Sequence, residues 1–583
     1  MTELSSQHID PTTAVMLTDL LFIQADKLGD RPFLHSRAGG DAGGWDTITW
    51  ATAAEQVLRL AAGLAGLGIK PRDRVAIVSE NRPQWLIADH AIMTAGAISV
   101  PAYTTNTEED HHYILTDSGA CAVIVSTAAL AQKLMPAAVR ADCCHHVITM
   151  EPVPLDQNQG FALHSWGDLL ASDPATPHSG ARTDTACLIY TSGTGGMPKG
   201  VMLSHGAILA NCASILHIFR NAELKDETFL SFLPLSHSYE HTAGQFFPIT
   251  IGAEINYVVG TDTIVQDMAD AHPTIMTAVP RLYEVFRTRV TQGLRRASPF
   301  RRNLFQRTLE IGRKRIEEPG SLTFRERLLD LILERLVRDK VRAQFGGRLK
   351  YMVSGGAPLN PEAGMFFLSL GIKILQGYGL TESAPVISCN VPAKIKIATV
   401  GPPCSGMECR IAEDGEILVK GELVMQGYWN RPKDTSETVR DGWLHTGDIG
   451  EFDEDGYLRI TDRKKDIIVN SGGDNISPQR VEGFLTLEPE IAQAMVFGDK
   501  RPHLVAVIVP EDEGADEKAA TEAVTMTLER VNAALAPIER VRRFILADKS
   551  FTVENGQMTP TLKLRRHILI AIYGERLEAL YRS

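Results

Sequence analysis

Along this chain, short apolar runs closed by glycine, proline or hydroxyl-rich loops alternate with longer stretches whose apolar residues recur at helical spacing. Residues 74–78, 97–101 and 122–126 read as buried strands, and 54–67 and 85–95 as helices. Strands alternating with helices predict a mostly parallel sheet covered on both faces. The strand pattern returns at 187–190, 229–233, 349–354 and 372–375, each time ending in a loop. Segments 414–420 and 421–429 read as short strands with tight turns, and Asp455-Gly456 is a hairpin signal between 451–452 and 457–460. They predict a small β-rich subdomain over residues 400–460. Beyond it, helical spacing at 481–487 and 521–535 flanks strand patterns at 491–498 and 504–510. The expected fold is α/β: a large N-terminal domain of parallel-rich sheets with packed helices and a β-rich subdomain, then a small α+β C-terminal domain.

A chain of 583 residues is too long for one core, at roughly 150 residues per domain. The net charge of −12 argues against general affinity for nucleic acid. Eight cysteines show no CxxC pairing, and Met1-Thr2-Glu3 opens no basic leader with an apolar run behind it, so a reducing cytoplasm is expected. Cys143, Cys144, His145 and His146 are too close in sequence to converge on one ion, and read as buried thiols beside ordinary histidines. The longest apolar stretch, 86–100, contains Asp89 and His90, which predicts no membrane span. One region departs from the acidic average. Residues 281–350 carry 19 Lys plus Arg and 8 Asp plus Glu, a balance of +11, which leaves −23 for the rest. Within it, 300–316 and 324–345 have amphipathic helical spacing. This basic helical insertion, residues 285–348, has two readings: a face that meets an anionic surface, or a solvated face laced with i,i+4 ion pairs. The solvated face is the simpler.

The densest chemistry is YTSGTGGMPKGVMLSHG, 190–206. Thr191, Ser192 and Thr194 offer hydroxyl donors, Gly193, Gly195 and Gly196 let backbone N–H groups approach an anion, and Lys199 adds a full charge. The chain then turns apolar, and Ser204 is placed to cap a helix running towards Ile215. A P-loop is excluded because Pro198 and Gly200 flank Lys199; a dinucleotide fingerprint is excluded because Met197, Pro198 and a new strand follow the glycines. A plain surface loop is the bland alternative for such a composition. Two more loops follow strand C-terminal ends, where open α/β sheets bind ligands: Gly355-Gly356-Ala357 and Gln376-Gly377-Tyr378-Gly379. Their glycines leave a flat slot beside Tyr378. Thr381 follows, a hydroxyl suited to a phosphate oxygen, and Glu382, a carboxylate suited to a hard cation. His237 stands just past the 229–233 strand, where it either caps a helix or serves the site.

Five motifs in this order resemble the adenylate-forming superfamily, which includes acyl-CoA synthetases, luciferases and peptide-synthetase adenylation domains; the likeness spans residues 20–565. The helical insertion is similar to the long-chain fatty-acid–CoA ligase branch. The resemblance implies ATP-dependent activation of a long-chain fatty acid to acyl-AMP and diphosphate, then transfer to CoA giving acyl-CoA and AMP, with Mg²⁺ required. It assigns the β,γ-phosphates to the 191–195 loop and Lys199, adenine to the 355–357 and 376–379 loops, the α-phosphate to Thr381, and Mg²⁺ to Glu382 with Thr191. Asp448 and Arg463 would hold the ribose hydroxyls, and His237 would border and gate the acyl pocket. Lys563, in MTPTLKLRR, would bridge the carboxylate and the α-phosphate; a solvent lysine in a basic tail is its bland reading. Lys465 matches the hinge between a 1–462 domain and a mobile 463–583 domain, whose Ser471-Gly472-Gly473 would later meet the pantetheine arm. Amino-acid-activating relatives place an Asp where this chain has Ser236-His237-Ser238, so a plain carboxylic acid fits better. Other readings stay open: a carrier-protein acceptor, a medium-chain or aryl acid, a non-catalytic binder, contact of the insertion with CoA phosphates or the inner face of a membrane, and a homodimer.

Overall fold

The long apolar stretch becomes helix Pro83–Thr94, buried along almost its whole length. In this computed structural model, which describes residues 7–582 except 39–43, 155–159, 192–196, 259, 261, 262, 296, 465, 473, 513, 515 and 560–562, the helix lies inside a core shared by two eight-stranded sheets. Helices Leu17–Leu28, Trp50–Gly66 and His205–Ile218 contribute to the same core. Asp89, on the buried helix, meets His241 at 2.9 Å with both side chains sealed from solvent. Burial alone would raise the Asp89 carboxyl; the His241 imidazole, helped by His90 and Ser99, holds the group below its ordinary value. None of the described helices is long and apolar enough to cross a membrane.

Sheet I runs, in order, Val386–Cys389, Lys373–Gly379, Tyr351–Ser354, Ile275–Ala278, Thr228–Ser231, Glu254–Tyr257, Pro32–Arg37 and Trp45–Thr49. Its inner strands are parallel and its two edge strands antiparallel. Sheet II runs Gly427–Tyr428, Lys199–Ser204, Thr185–Thr191, Ile98–Ala102, Arg74–Val78, Ala120–Val125, His146–Thr149 and Ala162–Ser165, parallel from Thr185–Thr191 onward. Parallel strands covered by helices read as continuous apolar runs, which is why they were visible in the sequence. Sheet III is antiparallel: Met407–Ile411, Glu416–Gly421, Trp443–Phe452 and Val439–Arg440, with Leu458–Arg463 on Trp443–Phe452.

One expectation is overturned. Residues 421–429 add no strand to sheet III; only Gly427–Tyr428 is extended, and it pairs with Met202 and Val201 at the edge of sheet II. The strand Lys199–Ser204 leaves an open ladder edge, and the later segment satisfies it: Gln426 N donates to Met202 O at 2.9 Å and Trp429 N to Gly200 O at 2.8 Å. Sheet II is thereby tied to the chain that leads away from sheet III.

The C-terminal part has its own cores, built on strands Ile491–Phe497, Leu504–Pro510 and Val541–Leu546 with helices Pro478–Leu485, Glu517–Ala534 and Arg566–Ala579. It touches the larger part where Asn360 Nδ2 donates to Gly483 O at 3.1 Å.

The basic insertion forms helices Pro299–Glu317 and Phe324–Leu333, then a wider π turn, Glu334–Arg338, and Asp339–Gln344. Arg338 explains the turn's position. Its side chain is fully buried and donates to Ser369 O at 2.8 Å, Asp330 at 2.7 Å and Glu334 at 3.1 Å. Removing one partner of such a buried network costs about 3–5 kcal/mol. Arg338→Ala is therefore expected to raise amide hydrogen exchange across 324–344 by at least tenfold while leaving sheet II protected; unchanged exchange would show that Arg338 does not anchor the insertion.

Candidate active site

Strands Thr185–Thr191 and Lys199–Ser204 pair antiparallel with Thr191 opposite Lys199, so the intervening loop leaves and returns at one point. Ser192, Gly193, Thr194 and Gly195 lie outside the described residues. Ser204 is the cap expected of it: its hydroxyl accepts from Ala207 N at 3.1 Å and starts helix His205–Ile218. Lys199 Nζ stands 3.0 Å from Asp434 and 4.9 Å from the centre of the Tyr428 ring. The Tyr428 hydroxyl in turn donates to Glu382 Oε1 at 2.8 Å. Burial and the Glu382 charge push this phenol's pKa up, so it stays a donor. The strand Gly427–Tyr428 thus links the two halves of the cleft, Lys199 and Glu382.

Thr381 and Glu382 lie on a short 3-10 turn, Thr381–Ser383, just past the end of strand Lys373–Gly379. Asn211, from the helix after the Lys199 strand, holds this turn by donating to Val386 O at 2.9 Å and Ser383 O at 3.4 Å. Thr381 Oγ1 lies 3.0 Å from Ser238 Oγ. Two glycines are needed for close approach here. A Cβ on Gly379 would fall 1.8 Å from Pro385 O, and one on Gly355 would meet the Tyr239 ring at 3.0 Å. Gly356 and Ala357 follow the end of strand Tyr351–Ser354, but residues 376–379, expected as a loop, instead continue strand Lys373–Gly379, because Val386–Cys389 folds back to pair with Gly377, Tyr378 and Gly379. Gln376 Oε1 is sealed with no partner among the described residues.

Asp448 and Arg463 are cross-strand neighbours in sheet III. Tyr378 OH donates to Asp448 Oδ2 at 2.7 Å, and Arg463 Nε is 3.6 Å from Oδ1. Burial raises the Asp448 carboxyl, although Arg463, Tyr378 and Lys563 pull it down. Gly447, at φ +72°, turns the chain before Asp448, and its N–H donates to Glu416 at 2.8 Å.

Lys563 reaches this cleft from the C-terminal part. Its backbone closes a turn with Thr559, N–H to Oγ1 at 3.1 Å. The residue is open to solvent, yet the protein crowding its ammonium lowers its pKa by desolvation, with help from Arg463; Asp448, Asp466 and Glu382 act the other way. None of these carboxylates is within ion-pair distance among the described residues, so the ammonium is not committed to one partner. His237 feels the same charge. Its Nδ1 accepts from Tyr239 N at 3.2 Å, which leaves the ring proton on Nε2, and burial followed by Lys563 lowers its pKa to about 3. Ser471 and Gly472 are exposed and bond within the C-terminal part, to Arg501 O and Asn470 Oδ1; Gly473 and Lys465 lie outside the described residues.

A family model described as AMP-binding enzyme matches residues 21–429, and one described as AMP-binding enzyme C-terminal domain matches residues 465–583. The chain belongs to the AMP-binding enzyme family. Among similar members, the long-chain-fatty-acid–CoA ligase FadD15 of Mycobacterium bovis is 32% identical over 92% of this chain and 93% of its own length. Long chain acyl-CoA synthetase 1 of Arabidopsis thaliana is 29% identical over 100% of this chain and 95% of its own. The adenylation domain of the carboxylate reductase of Mycobacterium chelonae superposes with a TM-score of 0.77 at 24% identity, covering 98% of this chain and 92% of that one. It shares the fold.

Within this AMP-binding enzyme, Tyr428, Asp434 and Asn211 are site residues that motif reading passed over. The Lys199–Asp434 pair is about one-third exposed on each side, 33% and 30%, so its worth is modest. Asp434→Asn is expected to lower the KM for MgATP by up to about fivefold with kcat little changed; an unchanged or higher KM would contradict competition for Lys199. His237 is neutral at any ordinary assay pH, so activity between pH 5 and 8 should show no limb from it, and His237→Gln should lower the rate without altering the profile's shape. A limb that disappears in the variant would overturn the assignment of a neutral ring.

Proposed function

We propose that this enzyme activates a long-chain fatty acid with ATP, forming acyl-AMP and diphosphate, and then transfers the acyl group to CoA with release of AMP. The observation that carries the reading is the convergence of Lys199, Tyr428 and Glu382 on one side and Tyr378, Asp448 and Arg463 on the other, side chains brought together from widely separated parts of the chain. The relatives named as fatty-acid–CoA ligases support the choice of acid and acceptor.

A carboxylate is a poor electrophile, and AMP is the leaving group that activates it. In the first step a carboxylate oxygen attacks the α-phosphorus and the bond to diphosphate breaks. Both reactants are anions, so the site must supply positive charge where they meet. Lys199 and residues 191–195 bind the outer phosphates, Thr381 donates to the α-phosphate, and Lys563 spans the carboxylate and that phosphate. Asp448 accepts from the ribose diol with Arg463 alongside, and the 355–357 loop and the 376–379 strand end receive adenine. Neutral His237 borders the acyl group. Mg²⁺ fits the donor set: Glu382 and Thr191 offer hard oxygens, and Tyr428 holds the Glu382 carboxylate through Oε1. When bound, the ion neutralises phosphate charge. In the second step the CoA thiol adds to the acyl carbon and AMP departs. Rotation about Lys465 withdraws Lys563 and brings Ser471-Gly472-Gly473 to the pantetheine arm.

Lys563→Ala is expected to cut palmitate-dependent diphosphate release by about a hundredfold or more while sparing thioester formation from supplied palmitoyl-AMP. Equal loss of both half-reactions would show that Lys563 does not act in the first step alone.

A further inference from the structure

The helix Phe324–Leu333 and its continuation carry two apolar stripes. Leu329, Leu333, Val337 and Val341 face the protein core. Phe324, Leu328, Leu331, Ile332 and Leu336 face solvent, with Phe324 83% and Leu331 70% exposed. A surface helix of a globular protein needs only one apolar stripe; the second has no partner in the fold. Its charges are sorted as well. Glu326 is paired with Lys314 at 2.8 Å, Asp330 with Arg315 at 3.0 Å and Arg338 at 2.7 Å, and Glu334 with Arg338 at 3.1 Å and Arg342 at 2.6 Å. The acids of this helix are thus neutralised by neighbouring basic side chains. Arg325 and Arg335, both exposed, flank or interrupt the outer stripe and have no ion-pair partner among the described residues. The Lys314–Glu326 pair and the Arg338–Thr308 hydrogen bond set helix Pro299–Glu317 antiparallel to this one. Exposed Phe300, Arg301 and Arg302 therefore lie towards the Arg338 end of the hairpin, repeating the combination of a bare aromatic and arginines with no ion-pair partner among the described residues.

We propose that this hairpin face docks the enzyme on an anionic lipid bilayer, with Phe324, Leu328, Leu331, Ile332 and Leu336 entering the acyl boundary and Arg325 and Arg335 meeting lipid phosphates. An apolar stripe bordered by uncompensated arginines matches the interface of an anionic bilayer, where apolar burial and charge attraction add. A solvated face would carry polar side chains at those five positions, and an acidic protein partner would leave the exposed phenylalanine and leucines without a role. The inference is independent of the chemistry at the cleft.

The test is flotation of the full-length enzyme with vesicles of phosphatidylcholine alone or mixed with phosphatidylglycerol. The native protein is expected to float with the mixed vesicles and to be released by high salt. Leu328→Gln combined with Leu331→Gln and Leu336→Gln should reduce vesicle partition at least tenfold, and Arg325→Gln with Arg335→Gln should remove the preference for the anionic lipid. Both variants should keep their thermal unfolding midpoint and their activity on detergent-dispersed acid, showing that the fold and the cleft are intact. Equal partition of the native and triple-glutamine proteins would overturn the proposal. So would a dimer, seen by light scattering, that depends on these leucines in a protein that does not float.

Discussion

The cleft depends on one electrostatic constraint: cations must be held near acids without any of them being fully neutralised. Lys199 is 3.0 Å from Asp434, Arg463 is 3.6 Å from Asp448, and Lys563 has no close ion-pair partner among the described residues. A chain of net charge −12 would otherwise repel both a carboxylate and a triphosphate. In a crowded cleft each of these charges acts more strongly than in water. The three cations come from sheet II, sheet III and the C-terminal part respectively, so no single element carries the site. The arrangement exists only when those parts are in register.

Much of the scaffolding serves that register. Asn211 fastens the Thr381–Ser383 turn to the helix that follows the Lys199 strand, and Gly427–Tyr428 completes the same strand's open edge while presenting Tyr428 to Glu382. Glu416 performs the equivalent task in sheet III by holding Gly447 N just before Asp448. The Asn211 and Gly447 bonds engage backbone at loop ends, where a shift of an ångström would misplace Glu382 or Asp448. The buried Asp89–His241 pair and the Glu240 carboxyl, raised to about 7 by desolvation and held by Ser231 and Thr277, continue the polar interior behind His237. Such groups are costly unless satisfied, and here each has at least one specific partner.

The parallel strands and the motif loops were legible in the sequence because their information is local. Apolar runs end where glycines, hydroxyls and lysine begin, and Ser204 caps its helix from three residues away. Partnerships across the chain were not legible. Tyr428 and Glu382 are 46 positions apart, Asn211 and Ser383 172, and Asp89 and His241 152, and no periodicity records such pairings. Residues 421–429 were misplaced for the same reason: their extended character was readable, but the open edge they would fill lay more than two hundred residues earlier. The insertion was legible in part. Its helical spacing was visible, but summing apolar residues around a helix cannot separate an inward stripe of Leu329, Leu333 and Val337 from an outward one of Phe324, Leu328 and Leu331.

The most direct measurement is isotope exchange between diphosphate and ATP, catalysed by the full-length protein with palmitate and Mg²⁺ in the absence of CoA. If the cleft joins carboxylate to α-phosphate as its own first step, labelled diphosphate enters ATP only when the acid is present, and CoA is not needed. Exchange that requires CoA, or product formation with ADP and inorganic phosphate in place of AMP and diphosphate, would contradict the account.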